Sequence, residues 1–150
     1  MKILAIDPGT HSGWAYWDGQ HLESGVQVFD LKRGESPGMR FLMFRSWLYK
    51  FPQPDLYIYE QAHHRGGAAT ELLLGMTTRI QEQAAEVGRD YVSIHSATLK
   101  KWSTGSGRAS KQDMIDAAED RRGLDVHDDN EADAILLCLW ARDEYEEKPK

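Results

Sequence analysis

A chain of 150 residues can bury one core of useful size and leaves little length for a second, so one domain, 1–143, and a charged tail, 144–150, are expected. Its 41% hydrophobic and 28% charged residues are ordinary for a globular protein, and no run approaches the ~18 apolar residues of a membrane span, so no membrane partner is expected. The net charge of −6 weighs mildly against nucleic acid, whose phosphates favour a basic face, but the charge is unevenly spread.

Acid is concentrated between Asp125 and Asp133 and in the tail, whereas Lys100, Lys101, Arg108 and Lys111 gather elsewhere, with Arg65 near mid-chain. A basic surface beside an acidic pocket therefore stays open. The opening MKILAID passes from one lysine into an apolar strand pattern without the h-region of a secretory signal, so a cytoplasmic setting is expected. Cys138, the single cysteine, lies in the apolar run AILLCLW and reads as a small buried hydrophobe rather than a reactive thiol.

Residues 2–6, KILAI, form an apolar run closed by Asp7-Pro8-Gly9, the pattern of a buried strand and its exit turn. The aromatic segment 12–18 ends in Asp18-Gly19 before a second alternating run to Phe29, a hairpin signal, so the chain opens with three antiparallel strands. After the loop LKRGESPG, the spacing of Phe41, Leu42, Phe44, Trp47, Leu48 and Phe51 predicts a helix over 38–50, stopped by Pro52 and Pro54. Leu56-Tyr57-Ile58-Tyr59 is a short β-rich run that delivers Glu60 to the start of the polar loop QAHHRGG. Residues 68–87 read as a helix stopped by Gly88, and 90–95 as a fifth strand. Segment 97–109 begins with a short helical stretch and becomes a glycine-bearing loop. Ser110 is a good N-cap for a helix over 111–121, and Asp128 and Asp129 precede a last helix to about Asp143. The order βββαβαβαα is an α/β pattern.

Three features carry chemistry. Asp7 at a strand end either hydrogen-bonds its own turn or faces a site. The same Asp-Gly pattern resembles the phosphate loop of actin-like ATPases and sugar kinases, whose paired lobes need far more than this length. Glu60 ends a run of four β-formers and is either a solvent-facing terminator or a group aimed at a site. Two adjacent strand ends that each carry a carboxylate would place like charges together, an arrangement that calls for a cation. Asp133, flanked by alanines where the last helix turns apolar, lies at the edge of a buried face. It shares a helix side with Asn130 at i−3 and with Asp129 at i−4. One of Asp128 and Asp129 is accounted for as the N-cap.

Four segments, IDPGTHSGWA, IYEQ, KKWSTGSGRASKQDM and NEADAILL, taken in this order and spacing, resemble the RuvC-type Holliday junction resolvases, especially phage-encoded members, over nearly the whole chain. The resemblance implies a ribonuclease H-like fold, a mixed five-stranded sheet with helices on both faces. It also implies a homodimer in the cytoplasm of a bacterium or phage-infected host, with branched DNA, chiefly four-way junctions, as partner. Two Mg²⁺ ions, or Mn²⁺, are implied at Asp7, Glu60 and Asp133, with the family's fourth position falling on Asn130. Asparagine departs from the aspartate or histidine found there; Asn130 is the preferred ligand, through a neutral carbonyl oxygen, and Asp129 the alternative. Where bacterial members carry a phenylalanine three residues after the glutamate, this chain has His63, followed by His64 and Arg65, which are expected to contact DNA.

The implied reaction is hydrolysis by two cations, leaving a 5′-phosphate and a 3′-hydroxyl in paired symmetric nicks. By resemblance Lys111 lies near the scissile phosphate as a catalytic ammonium, while Lys100, Lys101 and Arg108 contact the DNA backbone. The helix over 68–88 carries the stripe Leu72, Leu73, Met76, Ile80 and Ala84, read either as core or, by resemblance, as part of a dimer interface. The tryptophans read mostly as core, and Trp102, beside two lysines, is the one to test for DNA contact. Competing readings are a nuclease for broader branched DNA or RNA–DNA hybrids, and a non-catalytic DNA-binding or nucleotide-binding module.

Overall fold

The apolar alternation of the first strand runs through the whole architecture. In the computed structural model, which describes residues 1–61 and 66–146, Ile3 and Ala5 point to one face of a sheet and Leu4 and Ile6 to the other, and all four are fully buried. A strand buried on both faces must be central and covered on each side. The elements are β1 (Ile3–Asp7), β2 (His11–Trp17), β3 (Leu22–Val28), α1 (Gly38–Leu48), β4 (Leu56–Glu60), α2 (Gly67–Val87), β5 (Asp90–Ile94), α3 (Ser96–Thr104), α4 (Lys111–Arg122) and α5 (Asp129–Tyr145). The sheet order is β3-β2-β1-β4-β5, with β1, β2 and β3 antiparallel and β4 and β5 running parallel to β1.

Two cores flank this sheet. Ile3, Ala5, Ile58 and Ile94 pack with Leu99 of α3, Met114 and Ala118 of α4 and the apolar length of α5. On the opposite face Leu4, Ile6, Tyr57 and Tyr59 pack with Phe44, Trp47 and Leu48 of α1 and Met76, Ile80 and Ala84 of α2. Cys138 is fully buried on α5, and burial pushes its thiol up to about 12, so it is an inert core group as expected.

The mixed sheet with three leading antiparallel strands matches expectation. The short helical stretch near 97 is a complete nine-residue helix, α3, whose N-terminus is capped by the His95 imidazole accepting from the Ala97 amide. Leu99 is its sole buried residue, and at nine residues the helix is too short for a sequence pattern to mark its end firmly. The last helix runs to Tyr145, two residues beyond its expected end.

One close approach matters for the site. On β2, Gly13 pairs directly with Asp7 of β1 and lies under the first turn of α5. A Cβ added at Gly13 would fall 1.9 Å from the Asn130 carbonyl oxygen, so only glycine lets the helix backbone rest on the strand here.

Candidate metal centre

β1 and β4 are parallel neighbours in the register Ile6↔Tyr59, so their next residues, Asp7 and Glu60, emerge side by side at the same sheet edge. α5, held down through Gly13, brings Asp133 over the same edge from its second turn. One carboxylate oxygen from each of Asp7, Glu60 and Asp133 lies within 4.8 Å of the others. They open into a cavity of about 470 Å³ that Asp129, Asn130, Lys100 and Lys111 also line.

The turn that leads out of Asp7 is fastened by Ser12. Its fully buried hydroxyl donates to the Gly9 carbonyl at 2.7 Å and accepts from the Gly9 amide at 3.1 Å. At the N-terminus of α5, Asp128 accepts from the amides of Asn130 at 2.8 Å and Glu131 at 3.1 Å. Asp128 is therefore the N-cap, and Asp129 turns to the cavity, where Lys111 Nζ lies 3.7 Å from its carboxylate.

Protein surrounds the Asp7 carboxyl, so burial, followed by the charges of Asp133, Glu60, Asp129 and Asp128, holds its proton affinity well above the ordinary carboxylate range. Asp133 is pushed up to about 7 by burial first and then by Glu60 and Asp129; Lys100 and Lys111 pull the other way. Among the described residues no side chain hydrogen-bonds to or ion-pairs with Asp7, Glu60 or Asp133. Three such carboxylates remain ionised together only against added positive charge, and an all-oxygen donor set suits a hard divalent cation.

The other sequence-selected residues divide. Lys100, expected on the DNA backbone, lines the acidic cavity beside Lys111, whereas Lys101 and Arg108 are exposed and outside it. Trp102 is half-buried: it packs against the core, and the Arg121 guanidinium covers one face of its ring at 4.0 Å while donating to the Trp102 carbonyl. His63, His64 and Arg65 lie outside the described residues. The stripe on α2 splits, with Met76, Ile80 and Ala84 fully buried in the core and Leu72 and Leu73 lining the cavity. Two residues escape sequence reasoning. Ser12 is signalled only by its place three residues after Gly9, and Thr77, buried on the cavity wall, hides its hydroxyl on the Leu74 carbonyl.

A mixed sheet in this order, with carboxylates converging from its two central strands and its last helix, defines a ribonuclease H-like fold. Solved structures similar to this chain in fold include junction resolvases. Thermus thermophilus RuvC in complex with Holliday junction substrate has a TM-score of 0.76 at 20% identity, over 93% of this chain and 91% of that one. A second T. thermophilus RuvC structure gives 0.71 at 21%, over 93% and 92%. The Fowlpox virus resolvase, in complex with its substrate Holliday junction DNA, gives 0.64 at 15%, over 94% and 98%. In sequence, a 72-residue segment is 38% identical to part of the threonine–tRNA ligase of Thermofilum pendens; it is 48% of this chain and spans only 11% of the ligase. No protein-family model matches the chain. No described helix is long and apolar enough to cross a membrane.

Proposed function

We propose that this chain is a Holliday junction resolvase, an endonuclease that uses Mg²⁺ or Mn²⁺ to make paired nicks in four-way DNA junctions. The observation that carries the reading is the set of three carboxylates within 4.8 Å at one sheet edge, with no ion-pair partner among the described residues, in a fold shared with solved junction-bound resolvases. Asp7, Glu60 and Asp133 would hold the cations. Ions bound there would supply an ionised attacking water and charge neutralisation at the leaving 3′-oxygen, chemistry that would leave a 5′-phosphate and a 3′-hydroxyl.

The rest of the work belongs to the chain. Ser12 and Gly13 fix the turn and the helix seat that aim Asp7 and Asp133 at one point. Lys100 and Lys111, on the cavity wall, supply ammonium groups to the phosphate that enters and stabilise the charge that builds on it. Lys101 and Arg108 add exposed positive charge suited to the phosphate backbone. Two copies on a two-fold axis would present two such sites to a two-fold junction, which accounts for symmetric nicking. Removing DNA branches in phage-infected cytoplasm is a setting consistent with this chemistry.

The test is a substrate panel of four-way junction, flap, Y-fork and RNA–DNA hybrid, each with and without Mg²⁺. The expected result is Mg²⁺-dependent nicking that favours the four-way junction, and an Asp7→Asn variant that binds the junction without cutting it. Preference for the hybrid would replace this reading with a ribonuclease. Equal nicking in chelator would remove the metal.

A further inference from the structure

The inference rests on the metal-dependent reading above and concerns which residue completes the site. We propose that Asp129, not Asn130, is the fourth carboxylate of the cation centre, and that Lys111 holds its place there until a cation arrives.

The cap and first turn of α5 offer four acidic or amide side chains, each with a separate occupation, and Glu131 turns away to accept from the Ser24 hydroxyl at 2.8 Å. Asp128 is committed to capping, with two backbone amides on one carboxylate oxygen. Asn130 sits with its carbonyl in the notch left by Gly13 and its amide tied to Asp128, and it faces the cavity with a neutral side chain. Asp129 lines the cavity beside the set formed by Asp7, Glu60 and Asp133, and its carboxylate acts on both Asp7 and Asp133. It stands one helical turn before Asp133, on the same side of α5.

Charge accounting favours the same residue. Two divalent cations bring four positive charges against three from Asp7, Glu60 and Asp133. Asp129 supplies the missing negative charge and Asn130 cannot. A hard cation also favours an ionised carboxylate over an amide carbonyl.

The partner of Asp129 points the same way. Lys111 is 85% exposed along its side chain, yet its ammonium turns inward to within 3.7 Å of the Asp129 carboxylate. A cation bound to Asp129 would displace that ammonium and free it for the incoming phosphate. Metal binding and the readying of Lys111 then become one exchange: a carboxylate–ammonium pair opens, and a carboxylate–metal contact forms.

The experiment titrates the full chain with Mn²⁺ alone, without DNA, by calorimetry. Wild type is compared with Asp129→Asn, Asn130→Ala, Lys111→Met and Asp7→Asn, and a thermal melt of each checks that it is folded. Asp129→Asn is expected to weaken Mn²⁺ binding roughly tenfold or to lose one equivalent, and Asn130→Ala to stay within about twofold. Lys111→Met is expected to bind Mn²⁺ about two- to fivefold more tightly, as a competing surface cation is removed, with the gain shrinking as salt is added. A merely structural lysine would not move affinity in that direction. Weakening by Asn130→Ala with Asp129→Asn unchanged would overturn the assignment while leaving the metal centre intact. Unchanged or weaker binding by Lys111→Met would overturn the place-holding role. Wild-type affinity in Asp7→Asn would instead sink the metal centre on which the inference rests.

Discussion

Replacing Asp133 by asparagine should stabilise the metal-free protein while destroying its activity. Burial and the charges of Glu60 and Asp129 push the Asp133 carboxyl from an ordinary 3.8 to about 7, so the fold binds that proton about a thousandfold more tightly than the unfolded chain does. Between those two pH values the folded protein keeps a proton that the unfolded chain has already lost, and stability drains away as pH rises. The full linkage is worth about 4 kcal/mol as an upper bound; water and salt in an open cavity should reduce it to ~1–2 kcal/mol. For a chain of this size that corresponds to a melting point higher by roughly 3–8 °C. The assay is thermal unfolding of wild type and Asp133→Asn in chelator across pH. The gain should be absent near about pH 4, grow to about pH 7 and level off beyond, and saturating Mg²⁺ should restore the wild type but not the variant. A variant less stable than wild type at neutral pH, or a difference independent of pH, would show that Asp133 is not a strained buried charge.

Gly13→Ala should cost about 1–3 kcal/mol in urea unfolding, because the new methyl meets the Asn130 carbonyl and α5 must lift. Lifting the helix by about an ångström should slow junction cleavage roughly a hundredfold, as measured in single turnover. Asp128→Ala should lower stability by about 1 kcal/mol through loss of the N-cap, with the circular-dichroism melt as readout. Lys100→Met should reduce single-turnover cleavage on the order of a hundredfold while junction affinity in a gel-shift titration falls far less.

The elements that place the acids were legible because each obeys a local rule. KILAI and LYIY are unbroken apolar runs whose ends are marked by an acid, and the parallel register then makes Asp7 and Glu60 neighbours. Asp133 was legible from its place at the apolar boundary of α5. What a linear reading cannot supply is direction around a helix start: Asp128, Asp129 and Asn130 are consecutive polar residues, and only the three-dimensional path separates the cap from the cavity-facing acid. The same limit applies to Lys100 and Lys101, adjacent in sequence, of which one faces the cavity and the other solvent. Nor does the sequence around Trp102 announce the residue that covers its ring, since Arg121 is 19 positions away.

The contact between Gly13 and Asn130 also separates two properties that are usually bound together. α5 rests on the main chain of β2 at its first turn, and its interior residues Ile135, Leu136 and Leu139 fill the core further along. The separation of Asp133 from Asp7 is thus gauged against backbone, which has no rotamers to rearrange. Volume-conserving exchanges in the core further along α5 leave that backbone contact in place. An engineer seeking a hardier protein would begin at the far end of α5 and leave the glycine alone.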